Sequence, residues 1–196
     1  MKSFPGIQNF GLAFVLLAGV LSCSSYGKIK IIKDEFQGST NVSMVLRKRS
    51  VEDFGVLAPN VSDITFLKEL KGGAPVSFKL IRKSESFPLE GGIDLDQTGF
   101  LKVDDDRSRF NLENRKNFSE TAKETTKETN EGITTENTKT RTRYFATGEA
   151  NIPPALLARI QNAATFAIRI YYKSQPITYQ FKPSQLQKLK EFATAH

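Results

Sequence analysis

Tryptophan is missing from the 196 residues, and cysteine and histidine occur once each, as Cys23 and His196. One cysteine excludes an internal disulfide and any site built from several thiolates. One histidine at a terminal position, where chains fray, leaves no positioned base for a serine or cysteine nucleophile. No serine stands in a Gly-x-Ser-x-Gly elbow, and no glycine-rich phosphate loop or zinc spacing is present. Glu52, Asp53 and Glu90 have no sequence partner that marks an acid–base pair. Nothing in the chain therefore argues for an enzyme, and no cofactor is expected.

What is present is a basic balance. Lys and Arg number 28 against 21 acidic residues, a net charge of +7 with a pI near 9.5. Such a balance suits attraction to acidic lipid head groups, polyanionic glycans or nucleic acid. The cations are scattered and no nucleic-acid motif accompanies them, so nucleic acid is not expected as a partner.

At the N-terminus, Met1-Lys2 supplies a positive start, and Phe10 to Leu21 runs without a charge. The run suits the apolar region of a signal peptide and is too short to span a bilayer as a helix. Val20-Leu21-Ser22-Cys23 follows directly, then Ser24-Ser25. This resembles the lipobox of bacterial lipoproteins, with Val20 and Ser22 at matching places and Leu21 bulkier than the usual small residue. The resemblance covers residues 1–25. It implies cleavage before Cys23 and a diacylglyceryl thioether on that cysteine, usually with a further palmitate-type chain on its amino group. One acyl chain holds a protein marginally and two or more hold it firmly, at about 0.8 kcal/mol per buried methylene. Ser24 after the cysteine is compatible with the outer membrane by the sorting pattern of that class.

The remainder divides into a tether, residues 23–27, and a single α+β domain, residues 28–196, large enough for one core. Lys28 to Lys33 reads as a strand, its lysines close to the anchor. Ser39 to Lys48 alternates Val42, Met44 and Leu46 with polar neighbours, a half-buried strand. Ile64 to Leu70 and Val76 to Lys83 predict a hairpin through Gly72-Gly73. Ile93 to Leu95 and Phe100 to Val103 suggest another, with Gly99 taking positive φ. The segments VSMVLRKRS from Val42 and VSFKLIRKS from Val76 are alike, as two strands in similar settings would be. Residues 114–143 are crowded with Thr, Glu, Lys and Asn, and predict a long disordered insertion. Beyond it, Pro153-Pro154 opens a helix to Asn162, and Thr165 to Tyr172 pairs with Ile177 to Phe181. Ser184 and Gln187 form a capping box ahead of a helical face of Leu186, Leu189 and Phe192. The expected fold is a mostly antiparallel sheet with two C-terminal helices on one face.

Asp94, Asp96, Thr98 and Asp105 meet the spacing of a calcium loop, the basis of a calcium-stabilised adhesin reading. Pro88 and Gly91-Gly92 precede it where such a loop needs a helix, so a hairpin turn explains the same residues and no metal is expected. Asp104-Asp105-Asp106 before Arg107 and Arg109 reads as a polar turn. Tyr171, Tyr172, Tyr179, Arg169 and Lys173 gather aromatic and cationic groups on the last hairpin, a mixture common at binding surfaces. The expected role is a lipid-anchored envelope protein that binds a protein or glycan partner or serves structurally. The alternative is a lipid or small-molecule carrier with an apolar cavity.

Overall fold

The computed structural model describes residues 26–52, 61–86, 95–130 and 133–196. The leader with Cys23, and Asp94 of the acidic loop, lie outside the described residues. Two antiparallel sheets form the molecule. The first has six strands in the order β1 (Ile29–Asp34), β2 (Ser39–Arg49), β3 (Val61–Lys71), β4 (Ala74–Ser86), β8 (Ile133–Asn151), β7 (Glu113–Asn130). The second has four, in the order β10 (Gln175–Gln180), β9 (Phe166–Tyr172), β5 (Thr98–Val103), β6 (Asp106–Asn111). The described residues also form two helices, α1 (Leu156–Asn162) and α2 (Pro183–Thr194).

The period-two alternation selects one inner face on the large sheet. Val42, Met44 and Leu46 of β2, Ile64 and Phe66 of β3, and Phe78 and Leu80 of β4 are all buried on it. Each such side chain contributes roughly 1.5–3 kcal/mol by leaving water. Helix α2 covers one end of this face. Its Phe192 packs between Phe66 and Phe78, with centroids 6.0 and 6.2 Å away. The small sheet covers the other end through Tyr179 and the segment that follows it, where Phe181 meets Phe66 and Phe166. A single hydrophobic cluster joins both sheets and both helices.

The likeness of VSMVLRKRS and VSFKLIRKS has a structural basis. Strands β2 and β4 flank β3 antiparallel to it, so they run in the same direction. Strand β2 turns Val42, Met44 and Leu46 inward and β4 turns Phe78 and Leu80, each run followed by a buried cation (Lys48, Arg82) and a buried serine (Ser50, Ser84), whereas Val76 is exposed. The hairpin through Gly72 and Gly73 forms as expected, both glycines having positive φ of 58° and 78°.

Three expectations are corrected. The 114–143 stretch pairs as β7 and β8 in an antiparallel hairpin instead of a disordered insertion. Apolar burial is scarce there, but the register puts Thr121 opposite Thr142, Thr125 opposite Thr138, Glu120 opposite Arg143 and Glu124 opposite Lys139. Threonine favours strands, and cross-strand pairs of this kind contribute a few tenths to about 1 kcal/mol each. Phe118 stacked on Phe145 at 5.3 Å anchors the base, where β4 templates β8. Gly99 is not a turn residue. It lies inside β5, where a Cβ would come within 2.3 Å of the Phe110 ring, so close approach explains the glycine. The turn is Asp104-Asp105 instead, with Asp104 at φ 54°. The capping of α2 begins earlier than Ser184 and Gln187. Pro183 takes the first turn, and the Gln185 Oε1 accepts the Lys182 N–H at 3.2 Å.

Candidate functional site

The solvent face of the small sheet gathers cations and aromatic rings. Strand alternation sends Leu101, Val103, Phe110, Ile168 and Ile170 to the core. The same alternation sends their neighbours outward. One row across the sheet reads Arg109, Phe100, Arg169, Thr178, and the next Arg107, Lys102, Ala167, Gln180. Rows lie about 7 Å apart along the strands, and neighbours within a row about 4.8 Å apart. Four of these eight positions are cationic and none is acidic.

Local contacts hold the side chains in place. The Arg169 Nε donates to Thr178 Oγ1 and the Arg109 Nη2 to Thr98 Oγ1, both at 2.9 Å. The Arg107 guanidinium lies over the Phe100 ring, 5.6 Å from its centroid, and Tyr171 meets the same ring edge-on at 6.2 Å. Among the described residues, Arg107, Arg109 and Arg169 have no carboxylate at ion-pair distance, and Lys102 has Asp105 at 3.6 Å. A cleft of about 200 Å³ opens between Phe100, Lys102, Arg107, Arg169, Tyr171 and Thr178. Guanidinium groups without a described carboxylate partner, set beside half-buried rings, can take acid groups and stack planar or sugar-like faces at once.

A second cationic cluster is buried at the end of the inner face where the two sheets meet. Arg82 is 1% exposed, and its Nε donates to the Tyr179 hydroxyl at 3.1 Å. That hydroxyl shares a 2.7 Å hydrogen bond with Ser62 Oγ. The two Nη atoms of Arg82 and the Ser84 Oγ have no hydrogen-bond partner among the described residues. Beside them the Lys48 Nζ donates to the Gln180 carbonyl and to Gln185 Oε1. Burial, and to a lesser degree the charge of Lys182, pushes the Lys48 ammonium down to about 8.

The last hairpin divides the residues that its sequence groups together. Arg169 and Tyr171 face solvent on the open sheet, whereas Tyr179 is buried against Arg82. Phe100, Lys102, Arg107 and Arg109 complete the face although the sequence does not single them out for it. Their alternation with Leu101, Val103, Ser108 and Phe110 is the signal that places them there.

Asp94 lies outside the described residues, and the other three residues of the calcium spacing, Asp96, Thr98 and Asp105, are not brought together. The Asp96 N–H donates to the Tyr171 carbonyl, and Thr98 Oγ1 accepts from Arg109. Asp105 is fully exposed at the far end of β5, about 17 Å from Thr98 by strand rise. No group of three acidic, histidine or cysteine ligands forms among the described residues. Asp104 works as a local clamp: its Oδ1 accepts the Thr165 and Ala164 N–H groups, both at 2.8 Å, which hold its carboxyl below the usual carboxylate range. The chain matches no protein-family model, no curated protein and no solved structure.

Proposed function

We propose that the chain is a lipid-anchored protein of a bacterial cell envelope, at the outer membrane, that acts by binding and not by catalysis. Its partner surface in this reading is the open face of the small sheet, and the partner an acidic glycan. The observation that carries the reading is the pair of rows with four cations and no carboxylate, together with the half-buried rings of Phe100 and Tyr171. Arg169 and Arg109 flank Phe100, so a sugar ring stacked on the phenyl group would have a guanidinium on either side for its acid groups. The lipobox-like Val20 to Cys23 supports the anchor. The carrier alternative draws less support, because the clefts lined by described residues are open and rich in polar groups.

Two measurements on one preparation test this proposal. Intact mass of protein extracted from bacterial membranes should show a chain starting at Cys23 with added acyl mass, absent in Cys23→Ala. An unmodified chain in the soluble fraction would remove the anchor. Heparin, as the acidic polysaccharide probe, should bind the wild type in a salt-dependent manner, and Arg107→Glu with Arg169→Glu should weaken it by roughly tenfold or more. Equal binding by that variant, or tighter binding of single-stranded DNA than of heparin, would overturn the glycan assignment.

A further inference from the structure

Strand β1 is an edge strand whose start, Ile29, packs on the core while Lys30 to Lys33 stay exposed on both faces. Its pairing with β2 puts Ile31 opposite Val42, on the core side, and Ile32 opposite Asn41, on the outer side. Both are nevertheless exposed, Ile32 at 63%. The core cluster reaches Ile29 at the start of the strand but covers neither of these two side chains, so alternation alone does not bury them. In the turn that follows, Phe36 is completely exposed, and the Asp34 Oδ1 accepts the Gln37 N–H to fix that turn. Ile32 on the outer face and Phe36 at the tip are exposed apolar groups rimmed by polar residues, the kind of surface that marks an interaction site. Lys28, Lys30 and Lys33 alternate with these residues, all exposed and without an ion pair among the described residues.

We infer that β1 and its turn lie against the anionic surface of the membrane, with Ile32 and Phe36 at the level of the acyl boundary and the three lysines among the head groups. This rests on the membrane-anchored reading above. Tyr26, the first described residue, follows the apolar run Phe10 to Leu21 and Cys23 by only a few positions. The strand therefore starts where the anchored segment ends. Phe36 lies at the opposite end of β1, roughly 30 Å of extended chain away, so the anchor and Phe36 meet one surface only if the strand runs along it. Apolar side chains interleaved with lysine are the composition that interfacial binding requires, each cation near an acidic leaflet contributing attraction. A second copy of the chain fits less well. Edge-to-edge pairing of two such strands would bring two lysine rows together, the device by which edge strands resist pairing. Asp34 and Glu35 sit at the turn and temper the charge, so the rings and isoleucines carry the depth while the lysines carry the preference for acidic lipid.

The absence of tryptophan makes the test direct. Phe36→Trp, Ile32→Trp and, as a control on the far side of the sheet, Tyr144→Trp each give the full chain a single tryptophan. Each is reconstituted in vesicles of phosphatidylethanolamine and phosphatidylglycerol with and without brominated acyl chains. Emission from positions 36 and 32 is expected to shift to the blue and to be quenched at least twofold by bromine, and emission from position 144 to remain that of exposed indole. Phosphatidylcholine vesicles should give weaker quenching. Unquenched, red-shifted emission at 36 and 32 would overturn the docking surface, as would a blue shift that depends on protein concentration and needs no lipid. Intact mass on the same samples reports the acyl group separately. An acylated chain with unquenched tryptophans leaves the anchor standing and removes the docking, whereas a quenched chain without acyl mass does the reverse.

Discussion

Single residues in this protein are fixed by what would collide with them or strand them. Gly99 is the clearest instance. A methyl group there would overlap the Phe110 ring at 2.3 Å, and that ring, 5% exposed, has no open space to move into. Gly99→Ala is expected to destabilise the fold by about 1–3 kcal/mol, the range for overpacking a filled core. Urea denaturation checks it, and the partial rescue expected from adding Phe110→Leu distinguishes overlap from a simple loss of backbone freedom. From sequence this glycine reads as a turn residue, because Asp-Gln-Thr-Gly has turn composition. The partner that makes glycine necessary lies across the sheet, and only strand pairing reveals it. Arg82 teaches the same lesson. Alternation puts Arg82 on the inner face with Phe78 and Leu80, but only the packing of the small sheet brings the Tyr179 hydroxyl over it and buries it.

At the scale of elements, the β7–β8 hairpin separates into a base and an arm. Strand β4 pairs with β8 only as far as Tyr144. Beyond it, Glu120 to Asn130 and Ile133 to Arg143 pair with each other alone, a two-stranded ribbon about 35 Å long. One of its faces carries a threonine ladder, with Thr121 and Thr142 at 3.3 Å and Thr125 and Thr138 at 3.2 Å. Since every described side chain of the arm is exposed, excising residues 122–141 and closing the gap with Asn-Gly should change the unfolding free energy by less than about 1 kcal/mol. Thermal or urea unfolding of the shortened chain measures this. A loss of several kcal/mol would mean that the arm packs on the body. The remaining strands and both helices are legible from alternation and turn chemistry, as the Gly72-Gly73 hairpin and the Pro153-Pro154 helix start illustrate. The arm is not legible, because its strands are specified by cross-strand partners and not by a buried face. The division of the strands into two sheets is equally hidden, since nothing local says which strand β5 will choose.

Across the whole molecule, the core is closed at both ends by buried lysines. Lys48 lies under the small sheet, and Lys68 lies under α2, its Nζ donating to the Ala193 carbonyl at 2.9 Å. Burial pushes both ammonium groups down to about 8. In the unfolded chain each keeps its proton to about 10.4. Between these values the unfolded state binds more protons than the folded one, so stability rises with pH from about 8 to about 10. Urea midpoints at about pH 7 and about pH 9.5 should show that rise in the wild type and lose most of it in Lys48→Met with Lys68→Met. A wild-type midpoint that falls over the same range would contradict the sign. Sequence by itself determined the strand faces, the two helices, the mostly antiparallel α+β class, and the absence of the residues that a nucleophilic or thiolate site needs. These are properties of spacing along one segment or of composition, and periodicity or a count reads them directly. Tertiary structure alone decided that Phe100, Arg107, Arg109 and Arg169 share an open face, that Gly99 must be glycine, that Arg82 is buried, and that Ile31 and Ile32 of β1 stay exposed. Each of those depends on which strands become neighbours, and neighbour choice is settled by the packing of the whole core and not by any segment within it.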